Sequence, residues 1–441
     1  MTTRPTHVRW LLIFWMFVIS AIAFLDRVNI SVAGTSIAHE YGFDLVKLGA
    51  VFSAFSWGYA LFQAPGGWLA DRFGPRRVLA LGTVWWAVFT ALTAAIPRGL
   101  ALSVATLVGV RFLLGVGEAV VYPASNRLVA SWIPVRERGL ANGLIFAGVG
   151  AGAGVAPPLI RYILEHQGWR WSFWISALIG LAGGIAWFVI ARDKPEGHSS
   201  VNPEEAALIR QGLPAEAPLT KPVAWRAIFT SKDVALITAS YFCYGYVAYI
   251  FFTWFFTYLS AVRGLNLKTS AYYSMLPFIA MAVCSFFGGR ISDILTSSVG
   301  KRVGRCVVAS VAMALCTVFL ALAMYAADAR VASIVLAGGA GALYLSQSSF
   351  WSVSSEMAGA SSGSVSGVMN MGNQFAGALT ALLMPVIANH YGWNTPFFVA
   401  AAMCCVGALL WLFIDIDRGA AALSRIDPAT PQPQFSGAHH V

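Results

Sequence analysis

Apolar residues dominate twelve separate stretches of this chain, and each stretch is roughly 20 residues long or longer. A helix needs about 20 mostly apolar residues to cross the hydrocarbon core of a bilayer. The sequence therefore predicts an all-α membrane protein with twelve transmembrane helices. The predicted spans are 9–37, 45–70, 78–97, 100–126, 138–164, 171–191, 233–260, 269–292, 304–327, 330–355, 362–389 and 394–416.

One long polar stretch, residues 192–232, divides these spans into two sets of six. It contains five prolines, and Asn202-Pro-Glu-Glu within it is a helix-start pattern. We predict a six-helix N-terminal half at 1–191, a cytoplasmic linker at 192–232 and a six-helix C-terminal half at 233–417. The Pro- and Gln-containing residues 418–441 predict a disordered tail.

The first apolar stretch is too long for the core of a signal peptide, and the charged pair Asp26-Arg27 interrupts it. We interpret it as a retained first span. Of the 29 Lys and Arg residues, 20 fall in segments that are cytoplasmic if the N-terminus is cytoplasmic, and 7 fall in the opposite loops. Cytoplasmic loops carry the excess of basic residues, so both termini are predicted to be cytoplasmic.

The composition indicates lipid rather than water as the surrounding solvent. Hydrophobic residues make up 58% of the chain and charged residues only 11%, whereas a soluble domain carries about 25% charged residues. The net charge of +10 is spread over loops without the basic stripe that nucleic-acid binding needs. The His residues lie at chain ends and in loops, and the Cys residues lack metal-ligand spacing. We therefore expect no enzyme, metal or cofactor.

A short motif occurs at equivalent places in the two halves. Gly67 and Asp71, followed by Arg72, end the second span, and Gly289 and Asp293 end the eighth. Glycine lets a neighbouring helix approach, and Asp can cap a helix N-terminus or pair with Arg. We predict a conformational latch that favours the state closed to the cytoplasm, formed by Gly67, Asp71, Arg72 and Asp293. The second copy has Ile after its Asp, which predicts a weaker latch there.

Four charged residues lie inside two predicted spans, namely Asp26 and Arg27 in the first and Arg111 and Glu118 in the fourth. A charge at the bilayer centre costs at least about 2.5–3.5 kcal/mol, so each needs a partner. Asp26 and Arg27 point about 100° apart, and Arg111 and Glu118 are two helical turns apart. The partners must therefore come from other helices or from a water-filled cavity.

The motif Gly67-x-Leu-Ala-Asp71-Arg72-x-Gly-x-Arg-Arg resembles the cytoplasmic signature of the major facilitator superfamily. The first span, Phe24-Leu-Asp-Arg-Val-Asn29, and the fourth, Arg111-Phe-Leu-Leu-Gly-Val-Gly-Glu118, resemble the anion:cation symporter branch. That branch includes bacterial permeases for galactonate, glucarate and hexuronate, and carriers of aromatic acids. The resemblance implies two six-helix halves that alternate access to a central site.

By this resemblance, Arg27 and Arg111 bind the carboxylate of a substrate, and Asp26 and Glu118 carry protons. The chemistry agrees, because a guanidinium binds a carboxylate with two hydrogen bonds. Burial favours the neutral form of a carboxyl, and a nearby Arg favours the charged form. An anion that occupies the Arg would thus promote proton uptake. A purely structural ion-pair network and coupling to Na⁺ remain alternatives, and the sequence does not decide which acid is primary.

Neutral polar side chains are expected to complete the site. Tyr59 in the second span and the amides Asn370, Asn373 and Gln374 in the eleventh lie at mid-membrane. Amides suit a hydroxylated acid, although they also join helices in membranes. The aromatic residues of the seventh span and the Ser-Gln-Ser-Ser run of the tenth have the same ambiguity. Glu356 lies near the end of the tenth span and is expected to be solvated.

We therefore predict a monomeric symporter in a bacterial inner membrane that moves a small organic anion inward together with protons. A sugar acid (an aldonate, aldarate or uronate) is the expected substrate. An exchanger of organic anions or phosphate esters, and a symporter of aromatic carboxylates, are the alternatives. The expected partners are the anion, protons and the lipid bilayer.

Overall fold

The computed structural model describes residues 4–42, 45–97, 103–213, 223–255, 258–265 and 267–424, and these residues are mostly α-helical. The α-helices in chain order are α1 Val8–Tyr41, α2 Leu45–Phe73, α3 Pro75–Ala95, α4 Ser103–Glu118, α5 Val121–Trp132, α6 Arg138–Gln167, α7 Trp169–Ile190, α8 Pro203–Gly212, α9 Trp225–Thr230, α10 Lys232–Thr253, α11 Leu267–Val299, α12 Val308–Tyr325, α13 Ala329–Leu345, α14 Gln347–Ala358, α15 Ser362–Tyr391, α16 Asn394–Trp411 and α17 Ile416–Ser424.

Each predicted span coincides with one helix or with two consecutive helices. The fourth span comprises α4 and α5, and the tenth comprises α13 and α14. Helices long and apolar enough to cross a membrane form ten continuous stretches in the described chain, one of which, Ala329–Tyr391, contains the tenth and eleventh predicted spans. Helix α2 is not among the ten, but at 29 residues it has the length to cross. The protein is an integral, multi-pass membrane protein.

The apolar pattern did not predict the breaks within the fourth and tenth spans. The helix stops at Glu118 and resumes at Val121. Pro123 contributes to this break, because it lacks the N–H that would bond to the carbonyl of Ala119. The tenth span is interrupted at Ser346, whose hydroxyl donates to the Leu343 carbonyl at 2.6 Å. Both breaks lie near the middle of the helix pairs α4–α5 and α13–α14, and broken helices near the bilayer midplane surround the binding sites of many transporters.

Two seams join the N-terminal half, α1–α7, to the C-terminal half, α10–α16. Helix α2 packs along α15, and α6 packs along α11. Glycines allow this close approach, since a Cβ at Gly67 would overlap the Gly363 carbonyl and one at Gly289 would overlap that of Gly139. The seams run toward the end of the molecule where the linker and both termini lie. We call this end cytoplasmic, after the charge distribution.

The linker folds onto both halves. The predicted helix start is confirmed, because the Asn202 side chain accepts from the Glu205 amide at the beginning of α8. The prediction of a disordered tail from residue 418 is wrong for residues 418–424, which are helical. Helix α17 extends to Ser424 because Arg418 pairs with the buried Asp233 at 2.6 Å and Leu423 is buried. Residues 425–441 of the predicted tail lie outside the described residues.

Glu205 of α8 is fully buried against the beginning of α1. It accepts hydrogen bonds from the Thr6 hydroxyl at 2.6 Å, from the Val8 and Arg9 amides at 2.9 and 3.1 Å, and from the Arg9 guanidinium at 3.1 Å. Burial opposes ionisation of this carboxyl, but these hydrogen bonds together lower its pKa below the ordinary value. The charged form of Glu205 thus fastens the linker to the first helix.

A carboxyl whose pKa is lower in the folded protein stabilises the fold above its unfolded pKa, about 4.3 for Glu, and this contribution disappears as the pH falls through the folded value. We expect Glu205→Gln to lower the free energy of unfolding at pH 7 by about 2 kcal/mol. In thermal unfolding of detergent-solubilised protein, the difference from wild type should shrink as the pH is lowered below about 4.3, the unfolded value. Glu196→Gln, at an exposed linker position, is the control, and an equal effect of both variants at pH 7 would contradict this role.

Candidate functional site

The predicted charges of α1 and α4 form a buried ion pair. Arg27 Nε lies 2.6 Å from Glu118 Oε1, and the two side chains are 13% and 1% exposed. The Arg27 guanidinium also lies 4.1 Å from the ring centre of Tyr59, which places a hydroxyl of α2 in the same cluster. One guanidinium nitrogen, NH2, and the second oxygen of Glu118 have no hydrogen-bond partner among the described residues. The pair therefore retains a free donor and a free acceptor.

The other two charges, Asp26 and Arg111, have different surroundings, although Arg111 lies 5.1 Å and Arg27 5.3 Å from the same Phe55 ring centre. Asp26 accepts a hydrogen bond from the Thr90 hydroxyl of α3 at 2.8 Å. Arg111 attracts Asp26 electrostatically, yet no carboxylate of the described chain lies within ion-pair distance of its guanidinium. Arg111 is 2% exposed, and its Nε and NH1 are unpaired within the described chain. Asp26 and Arg27 therefore take their partners from other helices, as predicted, with Thr90 on α3 and Glu118 on α4.

The amides of α15 face the N-terminal half. Asn370 Nδ2 donates to Gln63 Oε1 of α2 at 3.0 Å, and Asn373 Nδ2 donates to Asn370 Oδ1 at 3.3 Å. Gln374 accepts a short hydrogen bond from the Tyr249 hydroxyl of α10. All three amides of α15 are buried. The structure therefore links Asn370 to α2 and to Asn373, and Gln374 to α10, and we call these residues the polar layer.

The two groups of polar residues approach each other between the halves. Tyr249 of α10 lies close enough to Arg27 and Glu118 to be affected by their charges. The rings of Phe24 and Phe252 also meet across this interface at 5.8 Å. The structure thus places Arg27, Glu118 and Tyr59 opposite the amides of α15, as expected for a central site.

Other polar residues of the seventh and tenth spans bond to each other. The Tyr241 hydroxyl accepts from Gln347 Nε2 at 2.9 Å and from Trp351 Nε1 at 3.1 Å. The Trp351 ring lies 5.8 Å from that of Tyr122, one helical turn beyond Glu118. These contacts bring the break in the tenth span close to the break in the fourth.

Three polar residues in and around the site were not predicted from the sequence. They are Gln63, Thr90 and Tyr122. Gln63 carried a detectable signal, because it lies four residues from both Tyr59 and Gly67 and so shares their helix face. Thr90 and Tyr122 carried none, since single Thr and Tyr residues are ordinary inside membrane helices.

The repeated motif forms two contacts across the seams. Asp71 accepts from the Gly363 and Ser364 amides at 3.0 and 2.7 Å and from the Ser364 hydroxyl at 2.6 Å, which caps the N-terminus of α15. Asp293 accepts from the amides of Gly139 and Leu140 at 2.8 and 2.6 Å at the N-terminus of α6. Each carboxylate therefore caps a helix of the opposite half, and the cytoplasmic end is closed in this structure.

Three expectations about the latch and its surroundings need correction. The second copy is not weaker in its contacts, because Arg305 compensates for the missing basic neighbour by pairing with Asp293 at 2.7 Å and with Glu356 at 3.0 Å. Glu356, expected to be solvated, has a side chain only 1% exposed. Arg72 lies outside the latch, since it is exposed and packs on the rings of Trp68 and Phe73.

Loss of either latch should open the cytoplasmic end. We expect Asp71→Asn and Asp293→Asn to speed alkylation of a cysteine placed at buried Ser366 by about threefold to tenfold, as a lost charged cap is worth about 1 kcal/mol. Asp293→Asn should also lower the melting temperature more, because it removes one partner of the buried Arg305.

The matched control for this experiment is Asp193→Asn. Asp193, at the start of the linker, caps α3 of the N-terminal half through the Arg76 amide at 2.8 Å, and this contact crosses no seam. Its substitution should leave the alkylation rate of the Ser366→Cys reporter unchanged. Equal acceleration by all three variants would show that the caps affect stability but not opening.

Sequence and structure comparisons show which known proteins this chain resembles. A sequence model of the Major Facilitator Superfamily matches residues 16–381 and 294–435. The probable sulfoacetate transporter SauU of Cupriavidus necator is 36% identical over 89% of this chain and 91% of its own length. The chloroplastic sodium-dependent phosphate transport protein 1 of Arabidopsis thaliana is 30% identical over 91% of this chain and 78% of its own.

Two further proteins extend the comparison. The probable galactarate/D-glucarate transporter GudP of Bacillus subtilis is 32% identical over 68% of this chain and 67% of its own length. The solved structure of the proton:xylose symporter XylE superposes with a TM-score of 0.74, at 15% identity, and covers 94% of this chain and 99% of that protein. At that identity the likeness concerns the fold alone.

Proposed function

The chain belongs to the major facilitator superfamily of membrane transporters, and from this premise we propose that it is a proton-coupled symporter that carries a small organic anion into the cell. The observation that carries the proposal is the buried ion pair of Arg27 and Glu118 in the N-terminal half, on the side that faces the C-terminal half. This pair has an unpaired donor and an unpaired acceptor. A carboxylate can bind the free N–H of Arg27 while Glu118, relieved of part of its partner's charge, takes up a proton.

In the proposed site, the two halves bind different parts of the substrate. The N-terminal half supplies the charges: Arg27 for the anion, Glu118 for the proton, and Asp26 with Arg111 as the neighbouring pair of opposite charges. The C-terminal half supplies Asn370, Asn373 and Gln374 for the uncharged part of the substrate. Amides both donate and accept hydrogen bonds, which favours a hydroxylated acid.

Sulfoacetate is an alternative substrate, because the relative that is 36% identical is named as a probable sulfoacetate transporter. Sulfoacetate has a carboxylate and a sulfonate but no hydroxyl group. Its two anionic groups would bind Arg27 and Arg111, and the amides of α15 would make no hydrogen bond to it. Sodium-coupled phosphate transport is the second alternative, because a relative of that name is 30% identical.

The substrate test is a thermal-shift panel on purified protein, followed by uptake of the ligand that stabilises most. The panel contains D-glucarate, D-galactonate, D-glucuronate, sulfoacetate, benzoate and phosphate. We expect a hydroxylated acid to raise the melting temperature most, and Arg27→Gln to abolish the shift. Stabilisation by phosphate alone, or only with Na⁺ present, would contradict the proposal.

A further inference from the structure

One face of α2 connects the ion pair with the cytoplasmic latch. Tyr59, Gln63, Gly67 and Asp71 follow each other at intervals of four residues, so they lie in one row along the helix. Tyr59 packs under Arg27, and Asp71 caps α15. Gln63 occupies the position between the site and the seam and is fully buried.

The side-chain oxygen of Gln63 accepts a hydrogen bond across the seam between α2 and α15. Asn370 Nδ2 of α15 donates to Gln63 Oε1 at 3.0 Å. One turn closer to the latch, a Cβ on Gly367 would overlap the Gln63 carbonyl, so the helix backbones are in close contact there. The hydrogen bond between Gln63 and Asn370 therefore lies at the cytoplasmic edge of the polar layer, next to the close contact between α2 and α15.

On its other side Gln63 faces the ion pair. The Tyr59 hydroxyl lies beside both Arg27 and Gln63, but neither this hydroxyl nor Gln63 Nε2 makes a well-formed hydrogen bond to any described residue. Buried donors of this kind adopt a new partner readily, because an unmade hydrogen bond is costly inside a protein. The row Arg27, Tyr59, Gln63 is thus able to rearrange when the charge on Glu118 changes.

We propose that Gln63 is the positioning residue that transmits the state of the Arg27–Glu118 pair to the cytoplasmic seam. Neutralisation of Glu118 frees Arg27 N–H groups, which then compete with Asn370 for Gln63 Oε1, directly or through the Tyr59 hydroxyl. Loss of the Gln63–Asn370 bond weakens the seam just above Gly67 and Gly363. This inference rests on the proposed role of Glu118 as proton carrier, and it requires no particular substrate.

The test is a double-mutant cycle without ligand. Full-length protein carrying Ser366→Cys is alkylated from the cytoplasmic side, and rates are compared with and without Glu118→Gln, which imitates the protonated acid. The comparison is made with Gln63 intact, with Gln63→Leu and with Asn142→Leu. Asn142 is the matched control, because it also makes an amide hydrogen bond across the halves, to Ser352 at 3.2 Å, away from the ion pair.

We expect Glu118→Gln to raise the alkylation rate about fivefold in the wild-type and Asn142→Leu backgrounds, the value of one lost hydrogen bond, and to have no effect in the Gln63→Leu background. An equal effect in all three backgrounds would overturn the role of Gln63, as would no effect in the wild type. Gln63→Met replaces the Leu variant if that protein does not fold. The assay measures no transport, so its failure is distinct from failure to carry an organic anion.

Discussion

Glu118→Gln is expected to abolish accumulation of the anion driven by a proton gradient while exchange of anion for anion continues. Gln has nearly the size of Glu and loses only the negative charge that holds Arg27 Nε at 2.6 Å from Glu118 Oε1, so Arg27 stays available to bind the anion. Gln cannot take up or release a proton. Net uptake in proteoliposomes should fall at least about 100-fold, equal to about 2.7 kcal/mol, whereas counterflow of labelled substrate should stay within about threefold.

Glu356→Gln is the matched control for this experiment. Glu356 is also a buried acid paired with an Arg, since it lies 3.0 Å from Arg305, but it belongs to the cytoplasmic latch. Its substitution should change stability and opening while proton-driven accumulation remains possible. Normal accumulation by Glu118→Gln would remove this acid from the coupling mechanism, and loss of counterflow as well would show that its charge is needed for binding.

Arg27→Gln has the second large expected effect, because it removes both the proposed anion-binding group and the partner of Glu118. Breaking a buried pair by removing one partner costs about 3–5 kcal/mol. We expect uptake and counterflow to fall together by at least about 100-fold. Arg27→Lys keeps a positive charge beside Glu118 but loses the planar fork, so its loss should be about tenfold.

Arg226→Gln, an exposed substitution in the linker, is the control for loss of positive charge and should retain wild-type uptake. Ligand binding measured by thermal shift separates binding from transport in each variant. If Arg27→Gln still binds the anion and only its transport is lost, then Arg27 acts in the conformational change, and Arg111 with its unpaired Nε and NH1 becomes the main binding group.

The sequence predicted the architecture well, because spanning helices follow from length and apolar content alone. The family resemblance to the major facilitator superfamily is confirmed. The breaks at Glu118–Val121 and Ser346 were not predictable in this way, because a break at mid-membrane leaves the apolar pattern unchanged. The helix at the start of the predicted tail was also missed, since the Arg418–Asp233 pair that holds it joins residues that are 185 apart in the chain.

The site was predicted in its components but not in its pairing. Charge and depth singled out Asp26, Arg27, Arg111 and Glu118, and helix geometry excluded pairing within one helix. Which Arg pairs with which acid depends on how α1, α3 and α4 are rotated about their own axes. The residue pattern of one sequence does not reveal that rotation. Glu356 shows the same limit, because its burial depends on Arg305 from a different helix.

Proton symport is tested most directly by measuring whether protons enter together with the anion that the thermal-shift panel identifies. Purified protein is reconstituted in liposomes that contain a pH indicator, in buffers without Na⁺, and the anion is added outside. We predict acidification of the interior that accompanies uptake, is saturable in the anion and is absent in Glu118→Gln. Uptake without acidification, or uptake that requires Na⁺ or a second anion inside, would contradict proton symport.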